Sequence, residues 1–346
     1  MRISYLAALM AMLCSVATVA SALEIEDHRR YQATLERSVL KVVSTADLQA
    51  FDPILVAFQR ANPGVTIDYT VTGTTDLMHA LLTEGAVFDI AISSAMDLQT
   101  KLVNDGYAQS LDVDNLSDLP NWASWRNQLF AFTQEPAVLV VSDRDFPADQ
   151  APRTRDELIA VLRANPEKFQ GRIGTYDVRR SGFGYLMATQ DSRNSDAFWR
   201  LMEVMGRLDA QLYCCSGTMI NDVASGKLAL AYNVLGSYAS SQLATKDGFH
   251  IIELDDYVNV MLRTALVPKT AENPQDAQTM INFLIGMNKR ADLVLESGLP
   301  AINTAALQDN SALRPIRFGP GLLVFLDQLK RANFLSNWES SLVQGK

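Results

Sequence analysis

From Val39 onward, short apolar runs rich in Val and Ile alternate with stretches whose apolar residues recur every three or four positions. Period-two or continuous apolar character predicts strands at Val39–Val43, Val65–Tyr69 and Phe88–Ile92. Between them, helices are predicted over Leu48–Ala61, ended by Asn62-Pro63-Gly64, and over Asp76–Glu84, ended by Gly85. A third follows over Asp97–Asn104, before Gly106. Single helices between strands imply right-handed crossovers and a mostly parallel sheet. After two further strands, Gln128–Phe132 and Ala137–Val141, a second α/β unit begins. Its helices are predicted over Arg155–Ala164, Gly182–Gln190, Ser195–Met205 and Thr218–Ser225, and its strands over Gly171–Thr175, Leu228–Tyr232, His250–Leu254 and Val258–Val267. Helices over Asn273–Asn288, Arg290–Glu296 and Leu322–Ala332 complete the chain. Residues 23–37 are polar with helical character and are expected to form a loosely attached N-terminal segment.

Four strands end in a cluster of Ser, Thr or Gly that passes straight into a helix: Ser44-Thr45, Thr72-Gly73-Thr74-Thr75, Ser93-Ser94 and Arg179-Arg180-Ser181-Gly182. Such clusters put hydroxyls and free backbone N–H groups at helix N-termini beyond the carboxyl ends of strands. Open α/β sheets bind small ligands there, and a helix N-terminus favours negative charge. Each cluster could equally serve only to cap its helix. Gly73 among three hydroxyls permits close backbone approach to a ligand. In the second unit, Arg179 is the arginine expected to face inward, with a fork of N–H donors suited to carboxylate or phosphate. Ser216, before another helix, and Tyr232-Asn233, ending a strand, complete the candidate ligand-binding set. Trp122 and Trp125 read at least as readily as core or hinge packing as they do as a ligand wall.

Residues 1–22 read as a cleaved signal peptide: Arg2 is the only charge, Ile3–Val19 is apolar, and Ala20-Ser21-Ala22 offers a small-residue cleavage site. The leader implies an exported protein. With 30 basic against 39 acidic residues, the net charge of −9 argues against nucleic-acid or anionic-membrane partners. Of three cysteines, Cys14 lies in the leader, so no disulfide framework is available. Adjacent Cys214 and Cys215 either bond to each other or are two small buried residues backing the cleft, and the second is the simpler reading. No nucleophile elbow, His-Glu-x-x-His, P-loop or divided carboxylate pair is present, so no enzyme and no cofactor is predicted. His28, His79 and His250 are scattered, and no metal site is predicted.

The order of pieces resembles the solute-binding proteins of ABC importers, in the two-lobed class that includes ferric-ion and phosphorylated-sugar or phosphonate binders. The resemblance is carried by Leu40-Lys41-Val42-Val43-Ser44-Thr45, Phe51-Asp52-Pro53-Ile54-Leu55-Val56-Ala57-Phe58, Asn62-Pro63-Gly64-Val65 and Phe88-Asp89-Ile90-Ala91-Ile92-Ser93-Ser94. Ser225-Gly226-Lys227-Leu228-Ala229-Leu230-Ala231-Tyr232-Asn233 and Ala265-Leu266-Val267-Pro268-Lys269-Thr270 extend it. It implies a type II periplasmic-binding-protein fold with a hinged cleft. The expected division is lobe I over 38–136 with 262–305, and lobe II over 137–261 with 306–346. It further implies a monomer that captures a small anionic solute, an organic phosphate or carboxylate, for an importer permease. The stretch Ile316-Arg317-Phe318-Gly319-Pro320-Gly321-Leu322 resembles a subgroup found beside sensor kinases, which would be the alternative partner. Ferric-ion members carry adjacent tyrosines where this chain has Val234-Leu235-Gly236-Ser237-Tyr238, leaving only Tyr232 and Tyr238 nearby. Ferric-ion transport and a secreted hydrolase are the alternative functions.

Overall fold

The computed structural model describes residues 23–344, apart from Asn115 and Ala148. The leader expected over residues 1–22 lies outside the described residues. Strands in chain order are β1 (Ile25–Tyr31), β2 (Ser38–Ser44), β3 (Val65–Thr72), β4 (Ile90–Ser93), β5 (Ser124–Trp125), β6 (Leu129–Ala131) and β7 (Glu135–Ser142). They continue as β8 (Ile173–Tyr176), β9 (Gln211–Tyr213), β10 (Leu230–Leu235), β11 (Phe249–Ile252), β12 (Val258–Met261), β13 (Thr264–Leu266) and β14 (Leu313–Pro315). One sheet runs β1-β3-β2-β4-β13-β6-β5, and the other runs β14-β12-β7-β10-β8-β9 with β11 beside β7.

Both sheets are mixed rather than mostly parallel. Parallel pairing joins β3-β2-β4 in the first and β10-β8-β9 and β12-β14 in the second. The antiparallel partners include β13 and β7, which open just after the chain has crossed between sheets. They therefore run from the junction outward, against neighbours that run toward it. The single apolar run Val258–Val267 is divided for the same reason: β12 lies in the second sheet, β13 in the first, and the fully buried Arg263 stands at the break.

The expected loose segment at residues 23–37 is instead edge strand β1, paired antiparallel with β3 from Ile25↔Thr72 to Tyr31↔Ile67. It buries almost nothing, so no apolar periodicity marks it. Ladder hydrogen bonds hold it, with surface pairs such as Arg29–Asp52 at 2.6 Å and His28–Asp68 at 2.5 Å. The expected helix over Leu322–Ala332 also differs. Pro320–Leu326 is a tight 3₁₀ turn, and Asp327 restarts the chain as the helix Gln328–Trp338 by accepting the Lys330 N–H at 3.1 Å.

The helix Leu48–Ala61 shows why the first sheet is covered where it is. Leu48, Phe51, Ile54, Leu55 and Phe58 recur at helical spacing and are buried on one stripe. Phe58 meets Phe283 of the returning helix Pro274–Ile285 edge to face, with ring centroids 5.4 Å apart. Each such ring contributes about 1.5–3 kcal/mol by leaving water. In the second lobe, Trp338 of the C-terminal helix is 1% exposed and shares a core with Phe198, Phe334 and Leu201.

Candidate functional site

Every βα passage that the sequence singles out ends at the junction between the sheets. There, loops from both lobes enclose a hollow of about 430 Å³. On the first-lobe side, Thr45, Thr72, Gly73, Thr74, Thr75 and Ser94 line it. On the second-lobe side, Arg179, Ser181 and Ser216 do so, joined by Arg180 and Tyr176. The lobes touch across it: Gly182 N–H donates to Thr74 Oγ1 at 2.8 Å, and Thr75 Oγ1 donates to the Arg180 carbonyl at 2.9 Å. At the floor, the Asp47 N–H donates to the Tyr238 hydroxyl at 3.1 Å.

Five helices begin at this hollow: Leu48–Ala61, Thr74–His79, Gly182–Asn194, Ser216–Ala224 and Gly236–Leu243. Only Gly182–Asn194 has a side-chain cap, Ser181 Oγ accepting the Gly184 N–H at 3.1 Å, and the other four have none. Thr45 Oγ1 accepts the Ser94 N–H at 3.1 Å, which ties two first-lobe loops together. The helix starting at Ser216 opens two residues earlier than its pattern predicts, which places the Ser216 hydroxyl against the Tyr176 hydroxyl. Burial pushes the Tyr176 phenol up, so it stays a neutral donor and acceptor.

Several expected site residues lie elsewhere. Ser44 and Ser93 are 0% and 1% exposed, and each hydroxyl turns back to accept the N–H two residues on, from Ala46 at 3.0 Å and Ala95 at 3.1 Å. They shape the turns and do not line the hollow. Gly182 lies at the lobe contact, where a Cβ would come within 2.9 Å of Thr74 Oγ1. Tyr232 and Asn233 point into the second lobe rather than the cleft. The Tyr232 hydroxyl donates to Asp191 Oδ2 at 2.8 Å and accepts from Arg155 Nε at 2.7 Å. Asn233 adopts φ 63° where β10 bulges against β7, and its Nδ2 donates to Asp191 Oδ2 at 2.8 Å. Asn tolerates that left-handed backbone better than most residues.

Charge in the hollow is divided between its walls. Arg179, the arginine expected to face a ligand, is forked by Asp177 at 2.8 Å through both Nε and Nη2, and lies 3.5 Å from Glu339. Against the burial that would raise it, these bonds hold the Asp177 carboxyl below its ordinary range. Arg180 also lines the hollow and is exposed, and no ion pair holds it among the described residues. The first-lobe wall carries Glu24, Glu26, Asp47 and Asp76. Desolvation, then Asp47, Asp76 and Glu24, raise the Glu26 carboxyl. Desolvation also raises Asp47, opposed by Arg263. Glu24 and Glu26 belong to the β1 segment and escaped the sequence reading, because nothing in a polar edge strand signals that it borders a cleft. Cys214 and Cys215 are bonded to each other and line the second-lobe wall. The simpler reading, two buried thiols, gives way to this bond.

Comparison with known proteins matches the family of bacterial extracellular solute-binding proteins to residues 40–293. No curated protein matches the sequence. The chain is similar to the substrate-binding protein of an ABC transporter from Agrobacterium tumefaciens, with 32% identity and a TM-score of 0.86 over 91% of this chain and 98% of that one. More distant in sequence are AfuA from Actinobacillus pleuropneumoniae with fructose-6-phosphate bound (12% identity, TM-score 0.70, 89% and 99% covered) and iron-bound HitA from Pseudomonas aeruginosa (16%, 0.66, 88% and 99%). These two share the fold.

Proposed function

The chain belongs to the bacterial extracellular solute-binding proteins of ABC transporters and has their two-lobed type II fold; from that premise we propose that it captures a small solute bearing one anionic and one basic group. The solute is held between the lobes and passed to an importer permease in the periplasm. The observation that supports this reading is the divided charge of the hollow. The second-lobe wall carries Arg180 and the starts of the helices Gly182–Asn194, Ser216–Ala224 and Gly236–Leu243, while Glu24, Glu26, Asp47 and Asp76 border the first-lobe wall. A carboxylate is stabilised by unpaired helix N–H groups and a free guanidinium. A multiply charged phosphate would face four carboxylates with one unpaired arginine to offset them. An ammonium group beside Glu26 offsets the desolvation, and the lesser repulsion from Asp47, Asp76 and Glu24, that raise its carboxyl.

Ferric iron fits the hollow less well. Tyr232, one of the two tyrosines that reading requires, is 2% exposed and bonded to Arg155 and Asp191 inside the second lobe. Hard Fe(III) calls for several anionic oxygen donors converging on one point, and among the described residues no three His, Cys, Asp or Glu side chains gather closely enough to hold an ion.

Closure follows as a population shift: solute that touches both walls favours the closed arrangement by the contacts it gains only there. Isothermal titration of the purified protein against amino-carboxylate zwitterions, simple carboxylates, phosphorylated sugars and polyamines tests the proposal. Zwitterions should bind tightest, and Arg180→Ala should weaken them by about 1.5–3 kcal/mol, the scale of a charged hydrogen bond. Glu26→Gln should weaken zwitterions but not simple carboxylates. Tighter binding of a phosphorylated sugar or a polyamine, or no binding across the panel, overturns the proposal.

A further inference from the structure

We propose that the Cys214–Cys215 disulfide is a thiol-exchange site in the wall of the cleft, attacked by a small thiolate at the Cys214 sulfur with Cys215 as the leaving thiolate. Three observations carry this. The bond joins adjacent residues on the loop between β9 and the helix Ser216–Ala224, and both residues line the hollow. Cys214 is exposed whereas Cys215 is partly buried, so an incoming nucleophile reaches the Cys214 sulfur first. Cys215 is the N-cap of a nine-residue helix, and its side chain accepts no capping hydrogen bond.

The leaving group decides the direction of exchange. The first-turn N–H groups of a helix have no intrahelical partners, and the helix dipole favours negative charge beside them. A thiolate released at Cys215 forms where those groups can receive it, whereas one released at Cys214 forms a residue farther from the helix. The better-stabilised thiolate leaves faster. The step balances: the incoming thiolate forms a new S–S bond to Cys214, the Cys214–Cys215 bond breaks, and the electron pair departs on Cys215. A second thiolate attacking the mixed disulfide releases Cys214 as a thiolate and carries away the adduct as a small disulfide. Two electrons pass in all, from two thiols to the protein.

The mixed disulfide on Cys214 sits in the hollow, so exchange and solute capture exclude each other. That consequence rests on the solute reading above. The exchange does not, and its failure would leave that reading standing.

The test uses the purified, folded protein, incubated with N-acetylcysteine and then quenched with excess iodoacetamide, which alkylates the remaining reagent and the protein thiolate released. A non-reducing digest with fragment-ion mapping then locates both labels, and far-UV circular dichroism confirms that the fold is kept. The N-acetylcysteine adduct is expected predominantly on Cys214, with the carbamidomethyl group on Cys215. The reverse labelling overturns the proposal. So does a folded protein that gives no adduct while the same protein in guanidinium does, and so does purified protein in which the two cysteines are not bonded.

Discussion

Arg263 and Glu135 form a two-pronged ion pair, Nε to Oε1 at 2.9 Å and Nη2 to Oε2 at 3.0 Å, where the chain passes from one lobe to the other. Glu135 opens β7 on the outward crossing, and Arg263 separates β12 from β13 on the return. Both are 0% exposed. Glu135 also accepts from Thr133 Oγ1 at 2.8 Å and from the Ser237 hydroxyl, so the clasp ties both crossings to the floor beneath the hollow.

Breaking this clasp on one side should cost more than removing it whole. Glu135→Gln leaves a buried guanidinium without its counter-charge, and loss of one partner of a buried pair costs about 3–5 kcal/mol. The double change Glu135→Gln with Arg263→Met removes that stranded charge and should recover part of the loss. Urea unfolding of wild type, single and double variants measures it. A single variant as stable as the double would show that the pair contributes no buried-charge penalty.

Tyr232→Phe should be a stability variant and not a binding variant. It removes a hydroxyl that links Arg155 to Asp191 inside the second lobe, leaving two buried polar groups each short of a partner. The expected cost is about 1–3 kcal/mol by urea unfolding, with affinity for whatever solute binds changed less than about twofold. A large loss of affinity at unchanged stability would return Tyr232 to the cleft.

The contrast between Tyr232 and Thr74 shows what the chain's pattern reveals. Thr74 follows an apolar run and opens a helix, and both facts are local, so its place at the cleft is legible. Tyr232 also ends an apolar run, but its direction is fixed by Arg155 and Asp191, distant in sequence and brought near by packing. Asn233 is similar: the bulge that turns it toward Asp191 is a property of two paired strands. The β1 segment fails for the opposite reason, since a polar edge strand has no buried face to impose a period. Its carboxylates Glu24 and Glu26 changed the charge of the site and could not be anticipated.

Asp97 gives the molecule a pH dependence. It lies in the first turn of the helix Met96–Asn104 and is 2% exposed, and burial raises its carboxyl to about 7, opposed by the Leu98 N–H that donates to Oδ1 at 2.9 Å. Below about pH 4 the group is protonated in folded and unfolded chains alike. Between about pH 4 and 7 the unfolded chain releases a proton that the folded one keeps, so this group's contribution to stability falls as pH rises, and the loss is complete above the folded value. Asp97→Asn keeps the acceptor and cannot ionise. Its melting temperature relative to wild type should therefore rise between pH 4.5 and pH 8. A constant difference across that range would show that Asp97 does not titrate in this way.

Gly182→Ala should hold the lobes apart without disturbing either one. A Cβ at Gly182 would lie 2.8 Å from Leu98 Cδ1, 2.9 Å from Thr74 Oγ1 and 3.2 Å from Thr74 Cβ, and all three atoms belong to the opposite lobe. Thr74 cannot move far, because its hydroxyl accepts the Gly182 N–H and its neighbour Thr75 donates to the Arg180 carbonyl. The added methyl therefore falls in the seam, and the strain is relieved by opening the lobes. Gly182 opens its helix without a left-handed φ, and Ala there restricts the unfolded chain more than Gly by about 0.4–1 kcal/mol, so stability need not fall. The expected result is a larger radius of gyration in X-ray scattering, weaker solute binding and an unfolding midpoint within error of wild type. An unchanged radius with unchanged affinity would mean that the seam at Gly182 and Thr74 does not limit closure.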